Sequence, residues 1–98
     1  MNLLRIKDKF KAGKNIRALI NDSYYKKGTI LEMCSIDEMN NMIWCHGVEM
    51  LMKNTADGIL YSNEQIQDLR KRYPRGNFGL HEDQFIQHWE VINEDWDN

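Results

Sequence analysis

The sequence predicts a small domain, mainly β in an α+β arrangement: an antiparallel barrel with one short helix inserted before its closing strand. Three observations predict it. Short runs rich in branched side chains recur between turn signals from residue 15 to residue 61. One capped amphipathic helix follows late in the chain, over residues 62–73. The 98 residues, 42% apolar and 29% charged, suffice for one core and match ordinary globular usage. The single proline and six glycines exclude a collagen-like or Pro-rich linker class. The longest apolar run is far short of the roughly 20 residues that span a bilayer. No basic-then-apolar leader opens the chain, and its two cysteines read as reduced thiols, so a cytoplasmic location is expected.

The elements follow in order. Leu3, Ile6 and Phe10 fall at helical spacing among lysines, so residues 1–12 read as a basic arm or short helix. Three apolar residues offer little area to insert into a membrane surface, and packing on the domain's own core is the preferred reading. Gly13 breaks this pattern, and residues 15–20 read as the first strand. Asn21, Asp22 and Ser23 supply turn chemistry, and Gly28 permits a positive φ before a second strand at 29–36. Polar residues 37–41 lead to a third strand at 42–46. His46-Gly47 marks a bulge or tight turn before a fourth strand at 48–52. Asp57-Gly58 is a hairpin signal that leads into a short strand at 59–61.

Ser62 and Gln65 form a capping box, while Ile66, Leu69 and Tyr73 share one apolar face. Arg70, Lys71 and Arg72 suit the negative end of that helix, and Pro74 and Gly76 stop it. Over residues 82–92, Phe85, Trp89 and Ile92 have helical spacing, yet His88 to Ile92 also alternates as a strand. A short turn through Phe85 followed by a closing strand is preferred. One domain thus covers 1–92, and 93–98 form an acidic tail.

Charge is distributed unevenly along the chain. Residues 1–28 hold eight Lys/Arg against two Asp/Glu, whereas residues 80–98 hold six acids and no Lys or Arg. Mutual neutralisation of the two ends across the fold is the simplest expectation.

The run Ala12-Gly13-Lys14-Asn15-Ile16-Arg17-Ala18-Leu19-Ile20, then Asp22-Ser23, then Lys26-Lys27-Gly28-Thr29-Ile30-Leu31-Glu32-Met33, resembles the opening of SH3-like small barrels. Such barrels are often encoded by bacteriophages and mobile elements. The closing Trp89-Glu90-Val91-Ile92 resembles their short last strand. The resemblance covers these stretches only, and its motifs are fold motifs. It implies an interaction module, a phage-encoded factor that modulates or inhibits a bacterial host protein in the host cytoplasm. The helical insertion from 62 to 79 departs from a minimal barrel, and no PxxP-binding constellation is present.

Chemistry-bearing residues are sparse. Cys34, Cys45, His46, His81 and His88 are suitable zinc donors, but no close pair such as CxxC brings them together, so neither metal nor cofactor is expected. Cys45 with His81 or His88 lacks the electropositive flank that an activated thiol needs, and no nucleophile elbow, P-loop or HExxH motif occurs. The expectation is a non-enzymatic protein. A nucleic-acid-binding accessory role would use Lys7, Lys9, Lys11 and Lys14 with Arg70, Lys71, Arg72 and Arg75, interleaved with Phe10 and Tyr73 for stacking. The acidic total opposes it. Protein binding is preferred, with Tyr24, Tyr25 and Trp96 as aromatic contacts and Glu94 and Asp95 steering a basic partner surface. Trp44 and Trp89 are expected to fill the core, and substitution of Tyr24 and Tyr25 is expected to leave folding intact. A homodimer seam of Met and Trp side chains fits either role.

Overall fold

The computed structural model describes residues 3–51 and 59–92. The predicted 54–58 hairpin loop and the tail residues Glu94, Asp95 and Trp96 lie outside them. The elements are α1 (Leu3–Lys9), β1 (Asn15–Ala18), β2 (Ile30–Asp37), β3 (Met42–Met50), β4 (Ile59–Leu60), α2 (Asn63–Arg72), β5 (Phe78–His81), α3 (Glu82–His88) and β6 (Trp89–Ile92). The strands form one antiparallel six-stranded sheet in the order β4-β3-β2-β1-β6, with β5 also on β3.

The expected mainly β, antiparallel character holds, but the sheet does not close into a barrel. β3's far edge is divided between β5, opposite Met42 to Cys45, and β4, opposite Glu49 and Met50. β6 pairs with β1 at the other end of the sheet. Helices cover the inner face instead: Ile6 of α1 and Phe85 of α3 join Ile16, Leu31, Met33, Ile43, Leu80 and Trp89 in one buried cluster. A sheet whose apolar face is capped by helices has no need to curl back on itself.

The predicted third and fourth strands are one strand. His46-Gly47 makes a bulge rather than a reversal: Ile30 faces Glu49 while Leu31 faces Gly47, leaving Val48 as the extra residue. β5 has no counterpart among the predicted strands, because residues 62–79 read as a helical insertion ended by Pro74 and Gly76. The 82–92 segment realises both of its readings in succession, a helix to His88 and a strand from Trp89. The insertion before the closing strand therefore holds two helices and a strand. α2 starts as expected: Ser62 Oγ accepts from Gln65 N, and Gln65 Oε1 accepts from Ser62 N.

Within the described residues, the basic first segment and the acidic last segment meet. Arg17 of β1 pairs with Glu90 of β6 at 3.1 Å, on the exposed face. Lys9, at the end of α1, donates its ammonium to the Phe85 carbonyl (2.7 Å), the Ile86 carbonyl (3.3 Å) and the Trp89 carbonyl. These are carbonyls of α3's last turn and the residue after it, where a cation is favoured. Burial lowers the Lys9 pKa, and Glu90 opposes that shift. Lys9→Met keeps the stem and removes the cap. Urea denaturation is expected to show a loss of about 1–3 kcal/mol, and an unchanged midpoint would refute this capping role.

Candidate functional site on the outer face of the sheet

Strand alternation decides which side chains leave the core. Ile36 and Ile43 are opposite one another, with Ile43 in the buried cluster, so their neighbours Ser35, Asp37, Met42 and Trp44 lie on the outer face. Trp44 is opposite Gly79 of β5, and Met42 opposite His81. A Cβ on Gly79 would lie 2.6 Å from Met42 Cε and 3.1 Å from two atoms of the Trp44 ring. The absent side chain lets the indole lie across β5. Its Nε1 reaches towards Asp37 Oδ2 at 3.4 Å, and Asp37 also accepts from Asn40 Nδ2 (2.9 Å) and Asn40 N (3.2 Å). The Asn40 hydrogen bonds hold the Asp37 carboxyl below its ordinary pKa, with the Trp44 contact adding to them.

The loop after α2 forms the opposite wall. Gly76 has φ +96°, and a Cβ there would lie 2.5 Å from Cys45 N and 2.6 Å from the Trp44 carbonyl carbon. Only glycine allows this loop to rest on β3. Asn77 N donates to Cys45 O (2.8 Å), and Ser35 Oγ donates to Arg75 O (2.7 Å), pinning the loop at both sides of Gly76. An open groove of about 740 Å³ results, with Ile36, Asp37, Met39, Trp44 and Arg75 among its lining residues. Met39 stands 94% exposed at the tip of the β2–β3 turn.

Beside the groove on the same face lies a buried charge cluster. Glu32 takes a two-pronged contact from Arg70 of α2, Nε to Oε1 at 2.9 Å and the terminal nitrogen to Oε2 at 2.7 Å. His46 Nε2 lies 2.5 Å from Glu32 Oε1, and its Nδ1 faces the Gly47 carbonyl at 3.2 Å. Burial would push the Glu32 carboxyl up, but the His46 and Arg70 hydrogen bonds and charges outweigh it and hold the group at about 2. α2 contributes no buried residue, so this pair is a principal anchor of the helix on the sheet.

Burial and the nearby Glu32 carboxylate raise the Cys34 thiol to about 11, although Arg70 opposes them. Burial, with the neighbouring Cys34 and Glu32, also pushes the Cys45 thiol well above its ordinary value. Both sulfurs are held as thiols, the non-nucleophilic form. Among the described residues, no group of three or more His, Cys, Asp and Glu is placed to hold a metal ion. No helix among them is long and apolar enough to cross a membrane.

The predicted contact residues separate. Tyr24 is 69% exposed, as a contact residue requires. Tyr25 is 1% exposed, with its ring centroid 5.0 Å from that of Trp89 and its hydroxyl accepting from Trp89 Nε1 at 3.1 Å. It is a core residue, and its substitution would disturb folding, contrary to the sequence expectation. The predicted cations are likewise divided. Lys9 caps α3 and Arg70 holds Glu32; Lys7 lies 3.4 Å from Glu38, and Arg72 lies 3.1 Å from Asp68 on its own helix. Lys11, Lys71 and Arg75 are exposed, while Lys14 is half-buried.

Trp89 fills the core as expected, but Trp44 is half-buried on the outer face. Its signal was present in the alternation of Met42 to His46, which sets Trp44 opposite in direction to Ile43 and Cys45. Comparisons with protein-family models, with curated proteins and with solved structures return no match to this chain.

Proposed function

We propose that the protein is a non-enzymatic protein-binding module whose docking surface is the Trp44 groove. The observation that carries this reading is a half-buried indole lying over a glycine of the sheet, beside an exposed methionine and an exposed arginine. Trp, Met and Arg are the residue types enriched at the centres of protein interfaces. A pre-positioned aromatic also loses little conformational entropy on binding. Occluding a partner's surface is sufficient for such a module to modulate or inhibit it, the role implied by the resemblance to phage-encoded SH3-like barrels. The nucleic-acid alternative is less favoured, because Lys9 and Arg70 are engaged within the fold.

Panning a displayed peptide library on the immobilised protein tests the reading. Enriched peptides are expected to lose about 30-fold or more in affinity on Trp44→Ala, the scale of an interface hot spot. They are expected to bind Tyr24→Ala normally, with circular dichroism confirming that both variants fold. Peptides indifferent to Trp44 would count against the groove. Single-stranded DNA binding that falls steeply with salt, and less steeply after Lys7→Ala and Lys11→Ala, would favour the alternative.

A further inference from the structure

We propose that α2 is a strap over the outer face of the sheet, fixed at both ends and held down between them by Arg70 on Glu32. It lifts as a unit while the sheet beneath it stays folded.

The uneven placing of its anchors carries the inference. Before α2, Tyr61 packs against the core, and its main-chain N donates to Val48 O at 3.0 Å. A Cβ on Gly47 would lie 2.8 Å from the Tyr61 ring, so this end rests directly on β3. After α2, Phe78 packs against the core, Asn77 N donates to Cys45 O, and Arg75 O accepts from Ser35 Oγ. Between these ends no residue of α2 is buried, and Ile66 and Leu69 are half-buried. A segment that buries so little apolar surface opens at a lower free energy than the core it covers. Its principal polar hold on the sheet is the fork of Arg70 on Glu32.

Lifting α2 strands neither charge. The Arg70 side chain is already 48% exposed, and Glu32 keeps His46, which faces it from β3. A detached helix of 10 residues is marginal in water despite its capping box, so its amides lose protection when it lifts. The lift uncovers Glu32 and Cys34, which line a recess with Arg70 and Pro74 beside the Trp44 groove. How much of the outer face is open thus depends on the state of α2.

Native-state hydrogen exchange of the whole protein, read amide by amide by NMR and corrected for intrinsic rates, tests the proposal. Amides of α2 are expected to exchange at least about tenfold faster than those that pair β2 with β3. Ile43→Val, a change in the core, is expected to speed exchange in β2 and β3 about fivefold and to leave α2 unchanged. Arg70→Met is expected to speed α2 exchange about tenfold. Lys71→Met removes a neighbouring charge from the same turn and is expected to change it less than about threefold. If α2 follows the strands in Ile43→Val, it opens only with the whole fold, and the strap is overturned. Equal effects of Arg70→Met and Lys71→Met would overturn the hold assigned to Glu32.

Discussion

Replacing Glu32 with glutamine is expected to destabilise the protein by roughly 3–5 kcal/mol, the scale of breaking a buried ion pair from one side. Glu32 has a side chain only 6% exposed, and it faces His46, whose side chain is fully buried, at 2.5 Å. Arg70 is half-exposed and can rehydrate when its partner is lost; His46 cannot. Arg70→Met is therefore expected to cost distinctly less, about 1–2 kcal/mol. The pH dependence follows from the same contacts. The Glu32 carboxyl sits at about 2 in the fold against an ordinary 4.5, so the unfolded chain binds its proton first as pH falls. Its stabilisation is complete above pH 4.5 and is lost as pH falls towards 2. Urea unfolding at a series of pH values should show the stability gap between the wild type and Glu32→Gln narrowing across that window. Parallel curves would refute the assignment.

The second large effect is expected at Gly76. An alanine Cβ there would lie 2.5 Å from Cys45 N and 2.8 Å from Cys45 O, both backbone atoms that cannot swing aside. The position also has φ +96°, which L side chains disfavour. Gly76→Ala is expected to cost about 2–4 kcal/mol and to lift the loop from β3, shifting the Trp44 indole resonance. Gly13 provides the internal control: its φ is +85°, but nothing lies within 4 Å of an added Cβ. Gly13→Ala should carry the backbone cost alone, about 1 kcal/mol. Equal losses at the two sites would show that contact with β3 does not set the Gly76 conformation.

Both predictions concern the same outer face, where one sheet surface serves two ends. At the Glu32 end, α2 is clamped down by charge; at the Trp44 end, the loop leaving α2 is clamped down by glycine and main-chain hydrogen bonds. The groove is the uncovered part between the β2–β3 turn and that loop. Loosening α2 through Glu32 should therefore also disturb Arg75, although Arg75 does not touch the charge cluster through its side chain.

What could be read from the sequence was local. The Ser62–Gln65 capping box depends on residues three apart, and α2 begins where those residues say it should. β1 and β2 likewise occupy runs of branched residues, each shortened or shifted by a residue or two. Even the His46-Gly47 bulge was legible, because glycine marks an irregularity whichever way the chain continues.

What the tertiary structure alone decided was which distant groups meet. Lys9 looks like one more cation of a basic arm until α1 comes to rest against the end of α3, 76 residues away at Phe85. Tyr24 and Tyr25 are indistinguishable in composition, yet one faces solvent and its neighbour faces Trp89. Trp44 is on the face opposite Ile43 by strand period alone, but whether that face is covered depends on where α2 and its following loop lie. Closure into a barrel depends on whether β6 reaches β4 or β5, and the helices on the inner face removed the need. Local elements follow from short-range backbone preferences, whereas edges, faces and charge partners follow from burial shared by segments far apart in the chain.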